Sequence, residues 1–152
     1  MKTVEPSRTA LLLIDVINDF EFEECRDLLR FAIPAAKKIA ALKRRLKAAG
    51  VPIIYVNDNF GHWQSDFRHQ IERCVHPECK GREMAGMLLP DSDDYFVLKP
   101  KHSGFYSTSL EVLLGYLGID TLILTGVAGD ICVLYTANDA YMRELKIFAP
   151  AD

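Results

Sequence analysis

Short apolar runs alternate along this chain with stretches of helical periodicity, and this alternation restricts the possible folds most strongly. A short apolar run bounded by turn residues is typical of a strand buried on both faces. The predicted strands cover residues 9–16, 51–56, 95–98, 122–124 and 145–149. The predicted helices cover residues 23–49, 110–117 and 131–142, with a further short helix within 68–87. This order predicts one three-layer α/β domain over residues 1–152, with a mainly parallel sheet and right-handed crossovers.

The longest predicted helix, residues 23–49, contains a proline and many basic side chains. Pro34 is expected to break or kink the helix, or to lie in the first turn of its second half. The basic residues are expected to form one solvated face: Lys37, Lys38, Lys43, Arg44, Arg45 and Lys47.

Composition narrows the possible partners and location. The chain has 152 residues, 49% of them hydrophobic, which is enough for one domain with a proper core. A formal net charge of -3 indicates neither a nucleic-acid nor an anionic-membrane partner. No apolar run is long enough to cross a bilayer, and the first ten residues lack a signal-peptide core. With no secretion signal, the four cysteines are expected to be reduced thiols in a cytoplasmic protein.

The segment 120–142 combines a strand, a small-residue turn over 126–129 and a helix. Asp130 is well placed to cap that helix, and Cys132 is then expected in its first turn. Free amides and the helix dipole at that end favour a thiolate, the reactive form of cysteine. The alternative is an inert cysteine within an apolar helix.

Two other polar residues are predicted at strand ends. Asp15 ends the first strand and Lys99 ends the third. Alone, Asp15 could be a turn former, and Lys99 could extend to the surface. Together with Cys132 they form an activated-nucleophile arrangement, because carboxyl ends of parallel strands share one edge of a sheet.

Each member of this arrangement has an expected role. Asp15 takes the thiol proton, and Lys99 favours the thiolate. The turn before Cys132 supplies backbone amides, among them those of Val127 and Ala128. These amides are expected to bind a developing oxyanion.

Loop residues are the candidates for contacts with a small-molecule substrate. The polar loop 57–66 leaves the same edge of the sheet as Asp15 and suits a substrate cover. The candidates are Phe20, Asn59, Trp63, Phe105 and Tyr106, and each of the four aromatic residues could instead fill the core.

Neither a metal nor a dinucleotide cofactor is predicted. His69, Cys74, His76 and Cys79 lie close together in the chain, but their spacing differs from that of zinc sites. The first strand is followed by Asp15-Val16-Ile17-Asn18, so it lacks the glycine fingerprint of dinucleotide-binding proteins.

Three motifs in this order resemble the isochorismatase-like cysteine hydrolases over nearly the whole chain: LLLIDVINDF, FVLKPKHSGFYST and LILTGVAGDICVLYTANDAY. The resemblance implies a Rossmann-like α/β/α sandwich, a catalytic set of Asp15, Lys99 and Cys132, and a homo-oligomer. It also implies a cis peptide in the turn before the nucleophile, between Val127 and Ala128.

The sequence departs from the family pattern at three places. Ile17 stands where many members have glutamine. Metal-binding nicotinamidases of the family carry an Asp-x-His pair, whereas here Asp58 is followed by Phe60 at that spacing and His62 lies off it. Members also usually continue through another helix and strand after the position of Asp152, so the chain is either truncated or its sheet edge is completed differently.

The expected function is metal-independent hydrolysis of a C–N bond in a small amide or ureido compound, through a thioester on Cys132. Two alternatives stay open: vinyl-ether hydrolysis of the isochorismatase type, and a non-catalytic α/β module. Members with vinyl-ether activity often lack the cysteine, so Cys132 argues against the first.

Overall fold

In a computed structural model, which describes residues 7–151, a five-stranded parallel sheet lies at the centre of the molecule. Residues 1–6, part of the segment judged to lack a signal peptide, and Asp152 lie outside the described residues. The strand order is β3-β2-β1-β4-β5. The strands are β1 (Thr9–Ile14), β2 (Ile53–Asp58), β3 (Tyr95–Lys99), β4 (Thr121–Gly126) and β5 (Lys146–Phe148).

Helices cover both faces of the sheet because successive strand residues point to opposite sides. Leu11 and Leu13 of β1 pack in a core cluster with residues of the first helix, whereas Leu12 and Ile14 pack with residues of the last two. The helices are α1 (Cys25–Ala48), α2 (Phe67–Cys74), α3 (Arg82–Met87), α4 (Leu110–Leu117) and α5 (Leu134–Tyr141). This confirms the predicted α/β sandwich, although the segment 68–87 forms two helices rather than one. No helix within residues 7–151 is long and apolar enough to span a membrane.

Helix α1 corrects two expectations. It continues through Pro34, so the expected break and the expected new start at Pro34 are wrong, whereas a kink there stays a prediction. Lys43 is not solvated: it is 7% exposed, and its ammonium group donates to the Tyr55 hydroxyl and the Leu89 carbonyl, each at 3.0 Å. The Asp94 carboxylate lies 2.7 Å away. The long side chain of Lys43 reaches across the core face of the helix because these partners satisfy its charge there.

The parallel order brings the carboxyl ends of the central strands to one edge of the sheet. At this edge β4 approaches β1 very closely, and its last residue is Gly126, with φ +128°. A Cβ atom there would lie 2.0 Å from the Ile14 carbonyl oxygen, so only glycine allows this approach. The turn that follows Gly126 leads directly to Cys132.

Candidate active site

Lys99 is at the centre of a charged cluster at this edge of the sheet. Its side chain is fully buried, so the expectation that it could extend to the surface is wrong. Its Nζ atom lies 2.9 Å from Asp15 Oδ2 and 3.5 Å from Cys132 Sγ. The three residues singled out from the sequence therefore meet at one ammonium group.

Hydrogen bonds with backbone groups fix both the main chain and the carboxylate of Asp15. It follows β1 in a left-handed conformation with φ 51°, which aspartate tolerates better than most residues. Its own amide donates to the Val56 carbonyl at 3.0 Å, and its Oδ1 atom accepts from the Asp58 amide at 2.6 Å. The other carboxylate oxygen is thereby directed toward Lys99.

Asp58 is a fourth member of the cluster that the sequence analysis did not assign to it. Its Oδ2 atom lies 3.3 Å from Lys99 Nζ, and its Oδ1 atom accepts from the Phe60 amide at 2.7 Å. In the sheet register Asp58 is the partner of Lys99, so both end neighbouring strands at the same level. The sequence does contain a signal for this role, because Asp58 is a carboxylate at the end of the strand that neighbours the strand of Lys99.

Cys132 lies in a π-helical turn, Gly129–Val133, that precedes α5. Asp130 does not cap this turn by a side-chain hydrogen bond, which corrects that expectation. The peptide between Val127 and Ala128 is cis, as the resemblance implied. Cys132 is half-buried, so its sulfur contacts the lysine on one side while the residue stays partly accessible to solvent.

The thiol is held in its protonated form, contrary to the expectation of a thiolate. Burial and the nearby Asp15 carboxylate raise the pKa of Cys132 to about 12, and they outweigh the opposite effect of Lys99. Burial also raises the pKa of Asp15, although Lys99 lowers it in part. Burial alone would lower the pKa of Lys99, but Asp15, Cys132 and Asp58 together raise it. The arrangement is therefore a neutral thiol beside a carboxylate of increased basicity.

One of the two amides expected to bind an oxyanion is already engaged. The Val127 amide donates to the Ile14 carbonyl at 3.0 Å, which corrects the expectation for Val127. Within the part of the chain that the structure describes, the Ala128 amide has no protein acceptor, and Ala128 is half-buried. The Ile131 and Val133 amides both donate to the Ala128 carbonyl, so the oxyanion prediction rests on the Ala128 amide and on the other amides of the turn up to Cys132.

The five candidate substrate contacts fall into two groups. Phe20 is fully buried and Phe105 is 6% exposed; both lie in the core clusters, which corrects the expectation that they line a pocket. Trp63 and Tyr106 are exposed at the surface. Asn59 donates its amide to the Lys99 carbonyl at 3.1 Å, and its side chain accepts from the Gly61 amide. For Asn59, Trp63 and Tyr106 a substrate contact stays a prediction.

The His and Cys residues near α2 do not form a common ligand set. Among residues 7–151, the His, Cys, Asp and Glu ligand atoms that cluster closely belong to a different group, three aspartates of the segment 91–94. His69 contacts the Asp66 carboxylate, whereas Cys74 is fully buried and burial raises its pKa to about 12. His76 is exposed, and the Cys79 sulfur lies 3.6 Å from the Asp19 carbonyl.

The position of the nicotinamidase metal site does not fit a metal here. Both carboxylate oxygens of Asp58 are engaged, by Lys99 and by the Phe60 amide. Phe60 occupies the position of the first histidine, and the ring of His62 contacts the Arg73 guanidinium group. A lysine ammonium group therefore faces Asp58, and no metal enters the chemistry considered below.

The fold and the cluster together define an α/β protein with charged and nucleophilic side chains where such sheets bind their ligands. The chain matches the family model of the isochorismatase domain over residues 9–152. It therefore belongs to the isochorismatase family, whose members are hydrolases.

Relatives and solved structures agree with this assignment. The isochorismatase family protein YaaI of Bacillus subtilis is 43% identical over 143 residues, which are 94% of this chain and 78% of YaaI. Ureidoacrylate amidohydrolase RutB of Agrobacterium fabrum is 30% identical, over 93% of this chain and 73% of RutB. The N-carbamoylsarcosine amidase structure from Thermoplasma acidophilum has a TM-score of 0.67 and 33% identity, and covers 94% of this chain and 81% of its own. A cysteine hydrolase from Pseudomonas syringae has a TM-score of 0.73 and 25% identity, over 100% and 77% of the two chains.

Proposed function

We propose that this protein is a cysteine hydrolase that cleaves a C–N bond of a small amide or ureido compound. The observation that carries the proposal is the contact of one buried ammonium group, Lys99 Nζ, with both the Asp15 carboxylate and the Cys132 sulfur. A nucleophile beside a general base, with a cation between them, is the arrangement that acyl transfer to a side chain requires.

In the first half of the reaction, Cys132 Sγ attacks the carbonyl carbon while its proton passes to Asp15. A thiol with a pKa of about 12 needs such a base, and burial raises the basicity of the Asp15 carboxylate. The negative charge that develops on the carbonyl oxygen is stabilised by the amide of Ala128 and the amides after it. Lys99 compensates the charge that appears on sulfur as the proton leaves.

In the second half, the tetrahedral intermediate collapses and the C–N bond breaks. Asp15 returns its proton to the leaving nitrogen, which departs as an amine or as ammonia. The acyl group stays on sulfur as a thioester, or as a thiocarbamate when the substrate is a ureido compound. Water then attacks this carbonyl with Asp15 as the base, the C–S bond breaks, and the sulfur regains a proton.

The relatives favour a ureido substrate within this class. Ureidoacrylate amidohydrolase and N-carbamoylsarcosine amidase are both named for compounds with a carbamoyl group on nitrogen. The cluster in this chain also fits a neutral carbonyl, since the positive charge of Lys99 already faces two carboxylates, Asp15 and Asp58.

The test is turnover of a substrate panel by the protein and its Cys132→Ala and Cys132→Ser variants. The panel consists of N-carbamoyl amino acids, ureidoacrylate, simple primary amides, nicotinamide and isochorismate. We expect C–N cleavage of a ureido or amide compound that both variants reduce by about 10³-fold or more. Cys79→Ser is the matched control, because Cys79 is also half-buried but lies between α2 and α3 with its sulfur at the Asp19 carbonyl, and it should retain full turnover.

Two results would contradict the proposal. One is C–N cleavage that persists at the same rate without the Cys132 thiol. The other is cleavage of isochorismate with no activity on any C–N bond of the panel, which would favour vinyl-ether hydrolysis instead.

A further inference from the structure

A second set of hydrogen bonds links the segment after Lys99 to the helix after Cys132. The Gly104 amide donates to Thr136 Oγ1 at 3.0 Å, and Thr136 Oγ1 donates to the Cys132 carbonyl at 2.7 Å. Thr136 is fully buried. One hydroxyl group thus connects the loop that follows the lysine to the backbone of the proposed nucleophile.

Residue 104 of this loop is a glycine that packs tightly against the side chains around it. A Cβ atom at Gly104 would lie 2.7 Å from Val56 Cγ1 and 3.2 Å from Leu110 Cδ2. A larger side chain would therefore crowd Val56 and Leu110, and either these side chains or the loop would have to shift. The same loop is tied one helical turn further on, where the Ser103 hydroxyl donates to the Asp139 carboxylate and accepts from the Phe105 amide.

These four residues, Ser103, Gly104, Thr136 and Asp139, are called the helix–loop clasp below. They belong to two of the three family motifs, yet the proposed reaction assigns none of them a task. Asp15 follows β1 directly and Lys99 is the last residue of β3, whereas Cys132 lies in a π-helical turn beyond the end of β4. Its distance from the lysine therefore depends on contacts outside the sheet.

We propose that the helix–loop clasp, acting through the Thr136 hydroxyl, holds the Cys132 turn against Lys99 and Asp15, so that Thr136 is a positioning residue for the nucleophile. The inference rests on the proposed function only in taking Cys132 as the nucleophile. A threonine hydroxyl has one proton and two lone pairs, and here the proton and one lone pair are used. Removal of this hydroxyl breaks both bonds at once and releases the turn from the loop.

Release of the Cys132 turn should lower turnover and at the same time raise the reactivity of the thiol. A simple loss of stability does not produce this combination. The turn moves away from Asp15, so turnover falls because the proton acceptor and the charge of Lys99 are misplaced. The sulfur becomes more solvated and more distant from the carboxylate, so its pKa falls from about 12 and it reacts faster with an alkylating reagent at a given pH.

The experiment compares Thr136→Val, which keeps the shape of the side chain, with Thr136→Ser, which keeps the hydroxyl. Thr125→Val is the matched control, since Thr125 is also a buried threonine whose hydroxyl donates to one backbone carbonyl, that of Leu12, at 2.8 Å. Each variant is assayed for kcat and KM on the substrate found above. Iodoacetamide labelling of individual cysteines is measured between pH 7 and 10 by peptide mass spectrometry. Labelling of Cys74, which is fully buried, reports on general unfolding in the same sample.

We expect Thr136→Val to lower kcat by about tenfold or more, with KM changed by less than about threefold. Labelling of Cys132 alone should become about tenfold faster at pH 8, with Cys74 unchanged. Thr136→Ser should restore both quantities to within about threefold of the unmodified protein. Thr125→Val should lose thermal stability without changing either quantity.

The proposal is overturned if Thr136→Val keeps both kcat and the labelling profile of Cys132. It is also overturned if Cys132 and Cys74 become labelled together, because the variant is then only less stable. If Cys132→Ser retains full turnover, the proposed function fails, but the labelling profiles of the Thr136 variants still decide whether the clasp positions this turn.

Discussion

Among residues 7–151 two lysines are buried, Lys43 and Lys99, and they differ in what surrounds their ammonium groups. Lys43 contacts two carboxylates, those of Asp91 and Asp94, together with a tyrosine hydroxyl and a backbone carbonyl, all of which only accept its hydrogen bonds or balance its charge. Lys99 contacts two carboxylates and a thiol that remains partly accessible. Both lysines are buried and paired with acidic groups, but only Lys99 contacts a nucleophile at the edge of the sheet.

The comparison shows that a buried ion pair alone does not mark a catalytic site. Lys43 joins α1 to Tyr55 of β2 and to the segment 88–94, and none of its partners is a nucleophile. Lys99 lies at the carboxyl ends of three adjoining strands, where it contacts Asp15, Asp58 and the half-buried Cys132. We therefore expect the two lysines to affect different measurable quantities.

The largest effect should follow from Lys99→Met. This change removes the charge that stabilises the developing thiolate, so kcat/KM on the substrate should fall by about 10³-fold. Circular dichroism would show whether the variant keeps its fold, since two carboxylates lose their partner. A decrease of less than about tenfold would place Lys99 with Lys43 as a structural residue.

The next largest effect should follow from Asp15→Asn, and it should separate turnover from thiol reactivity. Turnover should fall by about 10²-fold or more, because the amide cannot accept the thiol proton. The pKa of Cys132 should fall below about 12, because the Asp15 carboxylate is a cause of its increase second only to burial. A lower pKa means more thiolate at each pH, so labelling of Cys132 by iodoacetamide at pH 8 should become faster. An unchanged labelling profile would contradict the assigned contact.

A smaller effect is expected for Asp58→Asn, with Asp94→Asn as its counterpart beside Lys43. Asp58 lies 3.3 Å from Lys99 Nζ, farther than Asp15 at 2.9 Å, and it takes no proton in the proposed reaction, so its loss should reduce kcat by only about tenfold. Asp94→Asn should leave kcat unchanged and lower the free energy of unfolding. If both variants lower stability and neither lowers kcat, Asp58 only balances charge.

The smallest effect on turnover is expected for Lys43→Met, which should instead have a large effect on stability. Removal of this lysine takes away one of the two ammonium groups beside the buried Asp94 carboxylate, 1% exposed, and leaves Tyr55 and the Leu89 carbonyl without their donor, while Lys47 stays 2.6 Å from Asp94. The free energy of unfolding should decrease by about 3 kcal/mol, measured by urea denaturation. At temperatures where the variant is folded, kcat should stay within about threefold of the unmodified protein. A parallel loss of kcat would remove the distinction between the two lysines.

Most of the fold could be predicted from local patterns. The five apolar runs became the five strands, each within two or three residues of its predicted bounds, because burial on both faces needs a continuous apolar run. Gly118 ended α4 in a left-handed conformation, as glycine commonly does. The continuity of α1 through Pro34 was missed, because tertiary packing can outweigh the cost of one lost hydrogen bond.

The site could be predicted only in part. Asp15, Lys99 and Cys132 were found because right-handed crossovers bring strand ends together whatever the loops do. Asp58 was missed, although its register with Lys99 follows from the same rule. The exposure of Trp63 and Tyr106 and the burial of Phe105 were not decided by the sequence, since aromatic loop residues serve a core or a pocket equally well.

By itself the sequence determined the order of strands and helices and the edge at which the reactive groups meet, since both follow from periodicity and chain direction. Only the tertiary structure decided the electrostatics of those groups. Whether Cys132 is a thiol, whether Lys43 is solvated, and which carboxylates face Lys99 depend on distances of a few ångströms between remote segments and on the exclusion of water. Charge interactions in a protein vary steeply with distance and with the exclusion of water, and the spacing of residues along the chain encodes neither of these.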